Sequence, residues 1–239
     1  MNKFQEVEII FPKPLTRAFF IQRKKRFIIE AIHKLSGKKL WVHTNNTGSM
    51  LGLLKQNREI LISKSKNKKR KLPYTLEAIN IGGLWVGVNT SYPNKILKLL
   101  WEKKCLDEWK DISFQPEVFS GKSRLDACLG SGKDKIWIEA KNVTLVEDEV
   151  AYFPDAPTLR GANHLRELIS LCQKGFKTYC IFLIQRSDAK CFSPADFIDS
   201  EYAKLFWQAV KIGVKVIPLK AKISPRGLTL INVLKIMTS

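Results

Sequence analysis

The sequence predicts a two-part α/β chain, a small N-terminal β-barrel followed by an α/β domain on a mixed sheet. Three observations lead there. Residues 1–88 break into short apolar or alternating runs separated by turn residues, the pattern of closely spaced strands. From Tyr92 onward the apolar period lengthens, and helical runs alternate with strand runs. Positive charge is concentrated in the first third. At 239 residues the chain accommodates one large domain or two small ones, here divided as 1–88 and 89–239.

In order, strand-like runs cover Val7–Phe11, Phe19–Gln22, Phe27–Ile32, Leu40–His43, Glu59–Ser63 and Leu84–Val88. Turns such as Pro12-Lys13-Pro14, Ser36-Gly37-Lys38, Asn45-Asn46-Thr47-Gly48 and Gly82-Gly83 separate them. A small barrel fits this spacing, and a plain sandwich fits nearly as well. After Pro93, Ile96, Leu97, Leu99, Leu100 and Leu106 mark a helix. Strands follow over 113–119, 124–129 and 135–141, then a helix over 158–173 with Leu165, Leu168, Ile169 and Cys172 at three- and four-residue spacing. A strand over 178–184, a helix over 200–212 and a strand over 214–219 complete an α-β-β-β-α-β-α-β order, with Gly175 and Gly213 where helix C-caps belong.

The chain carries 41 Lys+Arg against 22 Asp+Glu, a net charge of +19. Residues 1–80 hold 18 against 5, net +13, and the remainder 23 against 17, net +6. A fold does not need such an excess, which invites a polyanionic partner. The runs Arg23-Lys24-Lys25-Arg26 and Lys64-Ser65-Lys66-Asn67-Lys68-Lys69-Arg70-Lys71 point to nucleic acid, which makes an OB-like barrel the natural form; charge alone fits RNA as well as DNA. No apolar run approaches the roughly 20 residues that span a bilayer, and the start has no apolar core of a signal peptide. Five isolated cysteines show no metal-ligand spacing, so a cytoplasmic protein with reduced thiols and no membrane partner is expected.

The densest chemistry lies between residues 117 and 141. If Ser131-Gly132-Lys133-Asp134 is a hairpin loop, Leu129 faces Ile136 and Asp126 faces Glu139. Opposed like charges are destabilising unless a cation lies between them. Strand alternation sets Lys141 on the face of Glu139 and Arg124 on the face of Asp126. Two carboxylates and a lysine on one patch suit phosphodiester hydrolysis: Asp126 and Glu139 as ligands of Mg²⁺ or Mn²⁺, Lys141 orienting water or stabilising developing charge. The plain alternative is a cross-strand salt-bridge cluster; the apolar flanks Leu125, Ala127, Ile136, Trp137, Ile138 and Ala140 favour a site.

The pattern Asp126–x12–Glu139–Ala140–Lys141 resembles the PD-(D/E)XK nuclease superfamily, whose core shares the α-β-β-β-α-β order. Nearly the whole chain resembles the sugar fermentation stimulation protein A family. That likeness is carried by Asn46-Thr47-Gly48-Ser49-Met50, Arg70-Lys71-Leu72-Pro73-Tyr74-Thr75, Val88-Asn89-Thr90, Ser123-Arg124-Leu125-Asp126, Glu139 through Leu145, Phe153 through Thr158, Arg160-Gly161, His164 through Leu168 and Gln185-Arg186. Ala140 and Asn142 stand where the family usually has Val and Ser. The resemblance implies an OB-like domain, a nuclease-like domain, DNA binding with little sequence preference and a regulatory link to sugar, especially maltose, metabolism.

At the margin, Glu117 is the positional candidate to complete a metal shell, against a surface ion pair. Arg160 and His164 share a helix face and are candidates to hold a phosphate, with a buried structural histidine as the alternative at His164, and Arg186 at the end of the next strand is a candidate to reach the DNA backbone. His33 and His43 read as structural. Phe27, Trp41 and Trp85 sit at alternating positions and are expected in the core rather than stacked on bases. Gly130-Ser131-Gly132-Lys133-Asp134 lacks the full phosphate-loop pattern and reads as the hairpin turn.

Overall fold

The computed structural model describes residues 3–67 and 69–237. The barrel region contains β1 (Glu8–Ile10), β2 (Leu15–Lys24), β3 (Ile28–His33), β4 (Lys39–His43), β5 (Glu59–Lys64), β6 (Tyr74–Ile81) and β7 (Leu84–Gly87). Then come α1 (Tyr92–Glu102), β8 (Phe114–Ser120), β9 (Ser123–Leu129), β10 (Ile136–Val143), β11 (Leu145–Glu147), β12 (Val150–Phe153) and α2 (Leu159–Gln173). The chain continues through β13 (Lys177–Ile184), β14 (Cys191–Pro194), α3 (Ser200–Ile212), β15 (Lys215–Ser224), β16 (Gly227–Val233) and β17 (Lys235–Ile236).

Antiparallel pairing runs β4-β3-β2-β5-β6, and a short parallel pairing of β4 with β6, Val42 to Tyr74 and His43 to Thr75, closes it into a five-stranded barrel. Its interior is filled by Ala18, Phe20, Ile29, Val42, Ile60, Ile62, Leu76 and Ile79, among others. This is the barrel of the sequence reading, not the sandwich. The strand that reading passes over is β6, where Glu77 interrupts the apolar run. Glu77 is buried because Ser63 Oγ, Asn89 Nδ2 and Tyr92 OH donate to its carboxylate at 2.5, 2.8 and 2.5 Å. Residues 8–10, inside the segment 1–88, leave the barrel: β1 pairs antiparallel with β16, Glu8 opposite Thr229. The barrel has closed on itself through β4 and β6, whereas β16 offers an edge.

The second domain is a seven-stranded sheet in the order β1-β16-β15-β13-β10-β9-β8. β10, β13 and β15 are parallel and the other pairings antiparallel. α2 lies in the crossover from β10 to β13 and α3 in that from β13 to β15, as parallel strands require. Leu165, Leu168, Tyr202 and Phe206 of these helices bury against one face of the sheet, and Ile96, Leu97 and Leu100 of α1 against the other. One carboxylate sets both helix starts: Asp199 Oδ1 caps α3 at Tyr202 N, and its Oδ2 accepts from Thr158 N, the cap of α2, both at 2.9 Å. The expected elements from 92 to 219 are present. β11, β12, β14 and β17 form a second small sheet; they run two to four residues, too short for a period to be read.

Barrel and sheet share one apolar core. Leu61 and Ala78, on the barrel's outer side, join Tyr92, Ile96, Leu219 and Ile223, and Phe11 stacks on Tyr92 at 5.7 Å. Gly87 at the end of β7 donates its N–H to Gln185 O at 2.9 Å, and a Cβ there would stand 2.2 Å from Gln185 Oε1, so a larger residue would displace the Gln185 side chain. The two domains thus pack on each other through a shared core and a backbone hydrogen bond.

Candidate active site and nucleic-acid interface

β9 and β10 pair Leu129–Ile136, Cys128–Trp137 and Ala127–Ile138, the register expected from the hairpin. The ladder stops one step before Asp126 and Glu139. The Ala140 N–H freed there needs a partner, and Asp126 Oδ2 accepts it at 2.8 Å. Asp126 Oδ1 accepts from Asn94 Nδ2 at 3.0 Å, in the first turn of α1. The strands part at the two acidic residues, so both carboxylates open into a cleft rather than stacking across a sheet.

Glu139 lies at the floor, 3 % exposed. Its Oε1 accepts from Lys141 Nζ at 2.6 Å and lies against His164 Nδ1 from α2, which is itself 3.2 Å from Lys141 Nζ. Its Oε2 is buried and has no hydrogen-bond partner. Burial, and secondarily the Glu139 charge, pushes the Asp126 carboxyl up to about 6. Burial acts to raise Glu139 too, but Lys141 and His164 outweigh it and hold its pKa below the ordinary value. The two carboxylates are pushed apart in acidity by their surroundings, an arrangement typical of sites rather than surfaces.

The cleft encloses about 870 Å³ between the domains. Arg23, Arg26 and residues 45–49 wall it on the barrel side, Arg160 and His164 on the α2 side, with Asn94, Asp126, Glu139 and Lys141 below. Arg23 donates to Asn46 O and Gly48 O, each at 2.8 Å, and so shapes the barrel loop rather than facing solvent freely. Lys25 and Arg26 form the β2–β3 turn with positive φ, and Arg26 reaches the cleft. Lys24 instead pairs with Glu30 at 3.0 Å and lies over the Trp41 ring. A second depression of about 770 Å³ opens on the barrel, lined by Lys13, His43, Lys64, Lys66 and Arg70. Lys69 and Lys71 are exposed beside it, and Arg70 donates to Thr75 Oγ1 at 3.1 Å; Lys68 lies outside the described residues.

Several expected residues are elsewhere. The β8–β9 ladder passes from Pro116–Ala127 to Val118–Leu125 and skips Glu117, whose backbone is left-handed (φ 53°) and whose carboxylate is exposed, 3.6 Å from Arg124. It lies outside the cleft, and the ion pair is what the structure brings together. Among the described residues no three His, Cys, Asp or Glu side chains converge as a metal cage. Arg186 is 7 % exposed, pairs with Asp188 through two nitrogens and donates to Thr144 O at 3.0 Å. A buried, bidentate arginine does not reach a DNA backbone. Its neighbour Gln185 is also buried, bonded to Asn89 O and Asn142 Oδ1. Arg124 and Arg160 are exposed and line one shallow hollow with His164. Phe27 and Trp41, expected in the core, are 48 % and 39 % exposed; Lys24 and Lys39 flank the Trp41 ring at 5.0 and 5.2 Å. Trp85 does pack against the core.

The sequence reading missed Asn94 and the role of Asp155. Asn94 follows Pro93 as a polar residue in the first turn of an apolar helix, a detectable oddity. Asp155 Oδ2 accepts from Met50 N at 2.9 Å, and its carbonyl accepts from Ser49 Oγ at 2.6 Å. It ties the two walls together across more than a hundred residues, which no local pattern reveals.

A closed OB-type barrel packed on a mixed-sheet α/β domain, with a carboxylate pair, a lysine and a histidine under the junction, defines the class of protein. Residues 21–88 match the SfsA N-terminal OB domain, and residues 91–227 match the sugar fermentation stimulation protein RE domain. The chain belongs to the sugar fermentation stimulation protein family. The homolog from Syntrophobacter fumaroxidans is 50% identical over 230 residues, covering 96% of this chain and 87% of that protein. The homolog from Maridesulfovibrio salexigens is 50% identical over 224 residues, covering 92% and 93%. The fold matches Pyrococcus furiosus SfsA with a TM-score of 0.88 at 24% identity, over 97% of this chain and 100% of that one.

Proposed function

We propose that the protein is a divalent-metal-dependent phosphodiesterase that binds DNA with little sequence preference. The observation that carries this reading is the buried, unpartnered Oε2 of Glu139 beside the Asp126 carboxylate, at the floor of a cleft rimmed by arginines. An orphaned carboxylate oxygen is costly to bury, and it fits a cation that Asp126 and Glu139 would hold, Mg²⁺ or Mn²⁺. The Pyrococcus furiosus relative is described in complex with Ca²⁺, another hard cation that takes oxygen ligands, which supports the assignment. When bound, such an ion supplies Lewis acidity toward a phosphate oxygen and lowers the pKa of an attacking water. Lys141 contributes a fixed positive charge to the same floor, worth most where charge develops in the transition state. His164 keeps Lys141 and Glu139 in register, and Asn94 and the Ala140 N–H orient Asp126. Arg26 and Arg160 neutralise phosphates at the rim, and the basic barrel surface around Lys64, Lys66 and Lys69 to Lys71 extends that neutralisation.

One observation favours a second reading, a non-catalytic DNA-binding regulator of sugar metabolism: Glu117 faces Arg124 and leaves two carboxylates rather than three. Cleavage of single-stranded, nicked, flapped and duplex DNA with Mg²⁺ or Mn²⁺, beside Asp126→Ala, decides between them. Metal-dependent cleavage lost in the variant supports the enzyme; binding with no cleavage of any form supports the regulator.

A further inference from the structure

We infer that the cleft admits one unpaired strand and excludes a duplex, because a hydrogen-bonded latch sets its width; the inference rests on the nucleic-acid reading above. The barrel loop 45–50 is fastened at both ends. At one end Asn45 Nδ2 donates to Asn89 Oδ1 at 2.6 Å and Asn45 Oδ1 accepts from Thr90 N at 3.1 Å. At the other, Ser49 and Met50 bind Asp155 of the segment leading into α2. Arg23 holds the middle through two carbonyls. At Gly48 a Cβ would stand 2.8 and 2.9 Å from the two Asp155 carboxylate oxygens, so any side chain there would push the Asp155 carboxylate off the loop.

The circuit continues beneath. The chain runs from Thr90 to Asn94, Asn94 holds Asp126, Asp126 holds Ala140, and Lys141 meets His164 on the helix that follows Asp155. Linked walls cannot splay, and the apolar core shared by the domains prevents them from hinging. The cleft opens to solvent along its rim, and its volume of about 870 Å³ lies in the roughly 300–1,000 Å³ range of ligand sites. A phosphate must descend to Glu139, which is almost fully buried. In a duplex the partner strand and its stacked bases accompany each phosphate, and the walls would have to straddle them. An unpaired strand passes a single backbone between the walls; a paired one must first be opened at the cost of unstacking.

The test is binding without metal, by fluorescence anisotropy at one salt concentration, of a single-stranded oligonucleotide, its blunt duplex and the same duplex with an overhang. The expected result is tighter binding of the single strand and the overhang than of the blunt duplex, by about tenfold or more. Asp155→Ala removes the charged acceptor of the latch, which shifts a local equilibrium by roughly ten- to a hundredfold, so the preference for unpaired strand should collapse while single-strand affinity changes little. Gly48→Ala forces the same opening from the other side, and keeps the test decisive if Asp155→Ala does not fold. Equal wild-type affinity for single strand and blunt duplex, or an unchanged preference in folded Asp155→Ala or Gly48→Ala, overturns the inference. Strand-selective binding with no metal-dependent cleavage overturns only the enzymatic reading and supports the latch. No binding of any nucleic acid overturns both.

Discussion

Replacing Asp126 by Asn should make the metal-free protein more stable at neutral pH. Burial and Glu139 raise the Asp126 carboxyl from 3.8 to about 6. A carboxyl whose folded pKa is raised favours folding only while protonated, so its ionisation costs stability as pH rises. The cost begins near pH 3.8, where the unfolded chain ionises, grows to about pH 6 and is constant above. At 1.36 kcal/mol per pH unit the full cost is about 3 kcal/mol. The Asn side chain carries no charge and keeps an acceptor for Ala140 N–H, and Asn94, which donates to Asp126 in the wild type, accepts from the new amide by turning its own amide over, so the variant escapes that cost. In a protein of this size about 3 kcal/mol corresponds to roughly 6–12 °C in Tm. Thermal unfolding in EDTA should therefore show Asp126→Asn well above wild type at pH 8, with the gap shrinking toward pH 4. Adding Mg²⁺ or Mn²⁺ should raise the wild-type Tm and leave the variant unmoved. A gain of equal size at both pH values, or none at pH 8, would refute the electrostatic account of the site.

Three further outcomes are expected. Lys141→Ala should lower kcat by about 10²–10³ with little change in DNA affinity, because the lysine acts on charge that develops in the transition state. Lys135→Ala, at a residue whose Nζ lies 5.6 Å from the Trp137 ring centroid, should leave cleavage intact in the same kinetic comparison, and equal losses in both would implicate general charge. Replacing Lys69, Arg70 and Lys71 by Gln should flatten the dependence of log K on log salt by up to about 0.9 for each phosphate no longer neutralised, read from titrations at several salt concentrations. Arg186→Met should destabilise by about 2–3 kcal/mol in urea unfolding, near the low end for a broken buried pair because Asp188 is partly exposed. DNA affinity of the folded variant should stay at the wild-type value; a selective loss would return Arg186 to the interface.

The hairpin 123–143 is legible because its information is local. A turn of fixed length sets the strand register, and the register brings Asp126 and Glu139 together with Lys141 on the same face. Position along the chain misleads at Glu117, since a left-handed backbone there turns its carboxylate out to Arg124. Phe27 and Trp41 mislead differently: an apolar side chain on or beside a barrel strand reads as core, although the Trp41 ring lies outside under two lysines. Arg186 reads as free because the carbonyl of Thr144 becomes its neighbour only when β13 packs beside β10, and Asp188 then completes its burial.

What the sequence determined by itself is therefore a β-rich first part and a mixed-sheet second part, the order of helices and strands from residue 92 onward, and the carboxylate–lysine patch, all set by periods, turns and caps within a few tens of residues. Only the tertiary structure decided that the first part closes as a barrel, that β1 leaves it for β16, that Asn94 joins the site and His164 meets Glu139 and Lys141 there from a different helix, and that Asp155 ties one wall of the cleft to the other. Those interactions join segments about 25 to more than 200 residues apart. They arise from which edges remain open after the barrel closes and which backbone N–H groups remain unpaired when the ladder ends, conditions that exist only once the chain has packed.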